Sequence, residues 1–214
     1  MGSDQLSEIT RTWRREDYRR GETLIIQGQP SEWVCVVEEG VFEIVQTRAE
    51  RSWFQAFRID GDFLGESAMR TRKSPRTATV VAHTASRVAI GRAAWFQEYL
   101  DDSRTELSWL RYLNSRLEEL HLVQGLDDPE VRMAGLVRPL VRNELRHGGG
   151  QAREVVVRIS RHHLAQGLRL GRQRTERLVE GMSIGGFHRK GLLTIDLARW
   201  EEYVARLGDW AVVR

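Results

Sequence analysis

The chain has 214 residues, of which 41% are hydrophobic and 29% are charged, enough apolar material for one large or two modest domains. The 33 Lys and Arg residues nearly balance the 30 Asp and Glu residues, which argues against a disordered polyelectrolyte. No apolar run reaches the roughly 18 residues of a transmembrane helix, and the N-terminal segment has no signal-peptide pattern. We therefore expect a cytoplasmic protein with no membrane partner. The one cysteine, Cys35, leaves no intrachain disulfide, cysteine zinc site or iron–sulfur cluster, and its apolar surroundings favour a buried small residue.

The first half of the chain has the pattern of short β-strands. Apolar, β-branched runs alternate with glycine-containing turns at a spacing that is typical of a barrel, sandwich or jelly roll. The predicted strands are 23–26, 34–37, 41–45, 53–59, 79–82 and 87–90.

A long helix with an apolar stripe is predicted after the strands. A short helix is predicted over 93–99 and a long one over 104–124, where glycine and proline are absent. Such a stripe packs on its own domain or pairs with a second copy of itself. Its positions Leu107, Leu110, Asn114, Leu117 and His121 follow the 3–4 spacing of a two-stranded coiled coil, which favours a homodimer.

The C-terminal part is predicted to be mainly helical and is strongly basic. After a break at 125–129 come a helix over 129–146, a strand over 154–159, helices over 160–168 and from 172, a hairpin turning at 189–191, and a helix over 197–207. Between residues 140 and 195, eleven Arg or Lys residues face four acidic ones. This imbalance indicates a polyanionic partner, with a solvated face in an arginine-rich protein as the alternative.

The first motif suits a cyclic phosphate. In Asp-Phe-Leu-Gly-Glu-Ser at 62–67, Gly65 lets a backbone N–H approach a ligand closely, and Glu66 can accept a ribose hydroxyl. In Pro-Arg-Thr-Ala-Thr at 75–79, Arg76 offers a fork of donors to phosphate oxygens, and Thr77 adds a hydroxyl. The alternative is a surface turn with a Glu–Arg ion pair.

The second motif, at 159–177, fits two short helices joined by a tight turn. Ser160 is predicted to cap the first helix, small Ala165 is expected where the helices cross, and the tight turn is predicted around 169–171. The second helix begins with side chains that suit base edges in the major groove: Arg172, Gln173, Arg174 and Arg177. A structural hairpin with a solvated arginine face is the alternative, although cations at a helix start oppose the helix dipole.

Together these motifs resemble the bacterial catabolite-activator / fumarate-nitrate regulator superfamily of transcription factors over nearly the whole chain. The segment Tyr-x-x-Gly-Glu-Thr-Leu-Ile-x-Gln-Gly at 18–28 and the turn glycine Gly40 precede the two motifs in the family's order. The resemblance implies an α+β chain with a β jelly-roll cyclic-nucleotide-binding domain at 1–103. A dimerisation helix and hinge at 104–126 and a winged helix-turn-helix DNA-binding domain at 127–214 would complete it.

The resemblance also implies site residues and partners. The ligand-binding residues would be Gly65, Glu66, Ser67, Arg76, Thr77 and His121, and the DNA-binding residues Arg161, His162, Arg172, Gln173, Arg174, Arg177, Arg189 and Lys190. The effector would be cyclic AMP or another cyclic nucleotide. The partners would be double-stranded DNA at a palindromic promoter site, a second copy of the chain, and RNA polymerase.

Three alternatives remain beside this interpretation. The hydroxyl residues that bind adenine in the cyclic-AMP-responsive branch are replaced here by Leu120 and His121, and some regulators of this type act without any effector. A haem-sensing branch would use histidine ligands, for which His83 and His121 are the candidates, although a lone histidine is more often packed and hydrogen-bonded. An enzyme is not expected, because no catalytic motif occurs and the six histidines are scattered.

Overall fold

The computed structural model describes residues 3–30, 32–49, 51–69, 74–102, 105–125, 128–148, 152–188 and 192–207. The chain divides into two compact units. The first combines Met1–Trp53 with Phe57–Arg116, and the second combines Phe54–Ala56 with Leu117–Arg214. Within the described ranges, none of the helices combines the length and the apolar character that crossing a membrane requires.

The first unit consists of two four-stranded sheets with helices beside them. Its elements are α1 (Ser3–Thr10), β1 (Arg14–Tyr18), β2 (Thr23–Ile25), β3 (Trp33–Glu39), β4 (Val41–Arg48), β5 (Arg51–Ile59), β6 (Phe63–Leu64), a 3-10 helix (Glu66–Met69), β7 (Thr79–Ala82), β8 (Ser86–Arg92), α2 (Ala93–Asp102) and α3 (Glu106–Gly125), which continues into the second unit. The strand orders are β1-β8-β3-β6 and β2-β7-β4-β5. All six strands predicted from the sequence are confirmed.

Strand β3 is buried on both of its faces. Val34 and Val36 pack in the core that α1, α2 and α3 cover, whereas Cys35 and Val37 lie in a second core that includes residues of the other sheet. Because both faces are covered, the strand is an unbroken apolar run rather than an alternating one. The expected burial of Cys35 is confirmed, since its side chain is fully buried.

The second unit combines helices with a three-stranded antiparallel sheet. Its elements are α4 (Pro129–Gly148), β9 (Glu154–Ser160), α5 (Arg161–Leu168), α6 (Arg172–Met182), β10 (Gly185–Phe187), β11 (Leu192–Asp196) and α7 (Leu197–Arg206), and the sheet order is β10-β11-β9. Strand β9 alternates, with Val155, Val157 and Ile159 buried and Val156 exposed. One face of this sheet therefore belongs to the core of the unit.

Side-chain caps fix where several of these helices begin. The carboxylate of Asp128 accepts a hydrogen bond from the backbone N–H of Glu130 at 2.8 Å, next to Pro129 at the first position of α4. Ser160 accepts from the N–H of His163 at the start of α5, as predicted, and Asp196 accepts from the N–H of Arg199 at the start of α7. These bonds satisfy amide groups that a helix leaves without a partner at its first turn.

Candidate ligand site and nucleic-acid interface

The first unit brings Gly65 and Arg76 into direct contact. Gly65 follows β6 with a φ of +80°, and its carbonyl accepts a hydrogen bond from Nη1 of Arg76 at 2.8 Å. A Cβ atom added to Gly65 would lie 2.1 Å from that nitrogen. Both the left-handed backbone and the close approach require glycine at this position.

The guanidinium of Arg76 is buried, with only 4% of the residue exposed. Nη2 donates to the carbonyl oxygen of Trp33 at 2.8 Å, and the guanidinium carbon lies 4.2 Å from the centre of the Trp33 ring. Burial lowers the pKa of Arg76, and the nearby carboxylate of Glu66 opposes that change. The two hydrogen bonds use two of the five N–H donors of the guanidinium, so donors remain for a phosphate oxygen.

Backbone pairing holds the Arg76 segment beside the loop that precedes β3. The N–H of Arg76 donates to the carbonyl of Gln29 at 2.9 Å, and the N–H of Gly28 donates to the carbonyl of Arg76 at 2.8 Å. Pro30 and Pro75 form a β-bridge next to these bonds. The loop therefore positions Arg76 through its main chain, independently of any ligand.

Trp33 is a site residue that the sequence analysis missed. It lies at the beginning of β3, 43 positions before Arg76, and contacts it through both the carbonyl and the ring. A pairing over that distance leaves no trace in local sequence spacing. The available signal was an aromatic residue three positions after Pro30, at the beginning of an apolar run, and that signal is weak.

The other predicted ligand residues surround Arg76 less closely. Glu66 is the first residue of the 3-10 helix and is exposed, and Thr77 follows Arg76 with its side chain also exposed. The side chains of Ser67 and His121 lie outside the described part of the chain. The structure therefore brings Gly65 and Arg76 into contact, while the ligand-binding roles of these residues, of Glu66 and of Thr77 stay predictions.

Cys35 adds no negative charge to the site. Burial raises the pKa of its thiol well above the usual range, and the charge of Arg76 opposes this change only in part. The thiol is therefore neutral, and a buried neutral thiol behaves as a small apolar group rather than as a nucleophile.

Helix α3 is tied directly to the glycine-containing segment. Nη1 of Arg116 lies 3.2 Å from Oδ1 of Asp62, while Oδ2 of Asp62 accepts a hydrogen bond from the backbone N–H of Ile59. The ring of Tyr112 packs edge-on against Phe63, and its hydroxyl also bonds to the Phe63 backbone. Residues 62 and 63, immediately before Gly65, are thus fixed to α3 by an ion pair and a hydrogen bond.

The second unit forms two short helices, α5 and α6, joined by a tight turn. The left-handed residue of this turn is Arg169, with a φ of 55°, and not Gly171, which has an extended backbone and open space where a Cβ would lie. The predicted turn around 169–171 is confirmed, since α5 ends at Leu168 and α6 begins at Arg172. Arg132, a buried residue of α4, donates to the carbonyl of Leu168 at 2.6 Å and so anchors the end of α5.

The beginning of α6 presents basic and amide side chains to solvent. The four predicted base-reading candidates are all exposed: Arg172, Gln173, Arg174 and Arg177. Within the described residues, the side chains of Gln173, Arg174 and Arg177 make no hydrogen bond or ion pair. Oε1 of Glu176 lies 3.0 Å from Nε of Arg161 and 3.6 Å from Nε of Arg172.

A cavity of about 640 Å³ lies where α5 meets α6. It is lined by Ser160, Arg161, His162, Ala165, Gln166, Arg169, Leu170 and Arg172. Arg169 was predicted to lie in the turn but not to be a site residue, since its part in lining the cavity is visible only in three dimensions. The predicted wing residues Arg189 and Lys190 lie outside the described residues. A concave surface with three arginines suits an anionic oxygen such as a backbone phosphate.

Comparison with known proteins agrees with this arrangement. Residues 15–103 match the family model of the cyclic nucleotide-binding domain. No curated protein sequence matches the chain.

Three solved structures share the fold over nearly the whole chain. CLP of Xanthomonas campestris, described as a c-di-GMP responsive global regulator, has 16% identity and a TM-score of 0.61, covering 91% of this chain and 99% of its own. FixK2 of Bradyrhizobium japonicum has 16% identity and a TM-score of 0.65, with 90% and 97% covered. A CRP/FNR family transcriptional regulator of Thermus thermophilus has 20% identity and a TM-score of 0.64, with 89% and 97% covered. Residues 15–103 therefore match the cyclic nucleotide-binding domain family, and the chain shares its fold with these three solved structures, one of which is a CRP/FNR family regulator, as the resemblance in the sequence implied.

Proposed function

We propose that the chain is a homodimeric, sequence-specific DNA-binding transcription regulator that a cyclic nucleotide controls. The observation that carries the proposal is the exposed beginning of α6, where Gln173, Arg174 and Arg177 have no partner within the described part of the protein. Like charges gathered at a helix start repel one another and oppose the helix dipole, and DNA phosphates and guanine edges relieve both costs. The elements β9, α5, α6, β10 and β11 follow the order of a winged helix-turn-helix.

The exposed face of α3 supports the homodimer. Leu107, Leu110 and Leu117 are 57%, 50% and 56% exposed, and Asn114 is exposed on the same face. On the opposite face Trp109 packs in the core of the first unit. Three exposed leucines on one helical stripe are best covered by the same stripe of a second copy, in which Asn114 can fix the register.

The geometry at Arg76 supports a cyclic nucleotide as effector. A buried guanidinium next to a glycine carbonyl provides fixed donors for a cyclic phosphate. Glu66 lies close enough to this guanidinium to raise the pKa of Arg76. CLP responds to a cyclic dinucleotide, so both cyclic mononucleotides and dinucleotides belong to the ligand class to be tested. A ligand at Gly65 would act on α3 through Asp62 and Phe63, and from α3 on a hinge at 125–129. RNA polymerase is the proposed partner at the promoter.

A second candidate has the same DNA-binding function without an effector. The observation that favours it is that the Gly65 and Trp33 carbonyls and the Trp33 ring already stabilise the charge of Arg76. Titration of the purified protein with cyclic mononucleotides and dinucleotides by calorimetry separates the two. Binding by wild type that Arg76→Lys weakens supports nucleotide control, because lysine keeps the charge and loses the planar fork. No heat at millimolar ligand supports the second candidate.

The DNA-binding function is tested by selection from random duplex DNA. We expect wild type to enrich a palindromic site, and Arg177→Ala to weaken binding to that site by about 1–3 kcal/mol. Arg51→Ala is the matched control, because it removes the same charge from an exposed position in β5 of the first unit. No enrichment by wild type, with or without nucleotide, would reject the proposed function.

A further inference from the structure

A single carboxylate lies between two arginines of the proposed DNA-binding surface. Glu176 is on α6, one turn after Arg172, and it contacts Nε of Arg172 at 3.6 Å and Nε of Arg161 at 3.0 Å. The side chains of Arg161 and Glu176 are only about one-third exposed, at 32% and 34%, whereas that of Arg172 is 73% exposed. Glu176 therefore joins a largely covered arginine to a largely exposed one.

The covered arginine is held in place from its other side. The guanidinium carbon of Arg161 lies 4.8 Å from the centre of the Phe187 ring, and Arg161 begins α5 directly after the capping residue Ser160. The carboxylate of Glu176 lies beside the guanidinium of Arg161, whose other side faces the Phe187 ring. Charge attraction from that carboxylate favours conformations of the exposed Arg172 in which Nε faces Glu176.

The contact with Glu176 leaves the terminal nitrogens of the Arg172 guanidinium available. In both ion pairs the nitrogen nearest to Glu176 is Nε, so the terminal Nη1 and Nη2 groups of Arg172 remain for other acceptors. Two terminal donors on an ordered arginine are the arrangement that reads O6 and N7 of guanine. An ordered side chain also loses less conformational entropy when it binds, which sharpens the distinction between a correct and an incorrect base.

The carboxylate also acts against binding that ignores sequence. Nonspecific affinity for DNA comes from neutralised phosphates, and a negative charge among arginines reduces it. The same carboxylate penalises a docking in which a phosphate, rather than a base edge, approaches Arg172 from the side of Glu176. Gln173, Arg174 and Arg177 have no comparable acidic partner within the described ranges. Among the four base-reading candidates of α6, the carboxylate of Glu176 therefore acts mainly on Arg172.

We propose that Glu176 is a positioning residue that sets the base selectivity of Arg172 and limits nonspecific DNA binding. The proposal rests on the proposed function, since it requires that α6 reads DNA. On this basic surface, one acidic residue would raise the selectivity for the correct base and lower the total affinity for DNA.

The test compares Glu176→Gln with Glu180→Gln, measured by fluorescence anisotropy on the selected DNA site. Glu180 is the matched control because it lies one turn further along α6, is exposed, and makes no ion pair among the described residues. Arg172→Ala first identifies the base pair that Arg172 reads, as the one whose discrimination disappears. The readout is the ratio of dissociation constants for a site changed at that base pair and for the unchanged site.

We expect Glu176→Gln to lower this ratio about tenfold, mainly by tightening binding to the changed site, whereas Glu180→Gln leaves it within about twofold. In the Arg172→Ala background, Glu176→Gln should no longer change selectivity, which a merely structural effect of residue 176 would not explain. The proposal is overturned if Glu176→Gln leaves the ratio of dissociation constants unchanged or if Glu176→Gln and Glu180→Gln lower it equally. It is also overturned if Arg172 reads no base pair. Failure of wild type to select any DNA is visible before the variants are compared, and it would reject the proposed function as well.

Discussion

The backbone N–H of Phe63 donates a hydrogen bond of 2.8 Å to the hydroxyl oxygen of Tyr112, across 49 positions of the chain. Tyr112 belongs to α3, and Phe63 lies two residues before the glycine that contacts Arg76. The bond joins the proposed ligand site to the proposed dimerisation helix within the first unit.

Tyr112→Phe should therefore destabilise the first unit by about 1–3 kcal/mol, because it leaves the amide of Phe63 without its partner while keeping the ring. Urea unfolding measures the loss. Tyr99→Phe is the control: the Tyr99 hydroxyl makes an exposed contact of 3.5 Å with Glu8, and its removal should cost less than about 0.5 kcal/mol. Equal losses for the two variants would show that the bond to Phe63 contributes nothing.

Replacing Gly65 by alanine should displace Arg76. The added Cβ would meet Nη1 at 2.1 Å and would also sit on a backbone with φ +80°. Gly21→Ala is a matched control, because Gly21 has φ +86° and open space around it, and its N–H bonds to the carbonyl of Ala82 rather than to the Arg76 segment. We expect about 1–2 kcal/mol of backbone strain in both variants, and loss of nucleotide binding only in Gly65→Ala.

Thermal unfolding and calorimetric titration measure these two effects separately. Nucleotide binding by Gly65→Ala with unchanged affinity would contradict the proposed ligand site. Loss of binding in both variants would indicate that the strain, rather than the contact with Arg76, is responsible.

The leucine stripe of α3 gives a prediction about oligomeric state. Leu110→Asp should dissociate the dimer at micromolar concentration, because it places a charge in the middle of an apolar seam. Sedimentation equilibrium reports the mass. Ile26→Asp is the control, since Ile26 is 49% exposed in the first unit and lies outside the stripe. A wild-type monomer, or equal dissociation of both variants, would contradict the α3 dimer.

Gln173 should determine preference at one base pair of each half-site. An amide donates and accepts, which suits N6 and N7 of adenine, whereas a carboxylate only accepts and favours the N4 amine of cytosine. Gln173→Glu should therefore shift preference at that base pair towards cytosine by about 1–3 kcal/mol, measured on a panel of sites that differ only there. Identical preferences would mean that residue 173 reads no base. The two half-sites should lie about one helical turn apart.

Much of the local structure could be predicted because its causes are local. Apolar runs between glycine turns predicted the six strands, and Ser160 predicted the start of α5 because a hydroxyl cap needs only the three residues that follow it. Strand β1 was missed because its sequence, RREDY, is polar and it pairs only with β8 at the edge of a sheet. Its strand conformation comes from that pairing rather than from its own pattern.

The site was predictable where residue type alone decides the chemistry. Gly65 and Arg76 were both predicted to line the ligand pocket, and the structure places them in contact. The contacts of Trp33 and Glu176 were not predictable from the sequence. The first depends on how β3 lies beside the Arg76 segment within the first unit, and the second on how α5 packs against α6 within the second unit. The place of the turn between the helices was predicted from the sequence, but its conformation was not: Arg169 adopts the left-handed backbone although Gly171 is two positions away. Anchoring of Leu168 by Arg132 fixes that turn from outside its own sequence.

Because Cys35 is completely buried, the rate at which its thiol is labelled measures how often the core around it opens. Because this is the only cysteine, every event of thiol labelling in the native protein arises from one position beside Arg76. A thiol reagent reacts only in the fraction of time during which the core around β3 is open, so the labelling rate measures the free energy of that opening. A ligand that binds only the closed form at 100 times its dissociation constant should slow labelling about 100-fold. Screening nucleotides by this rate requires no DNA and no knowledge of the target genes.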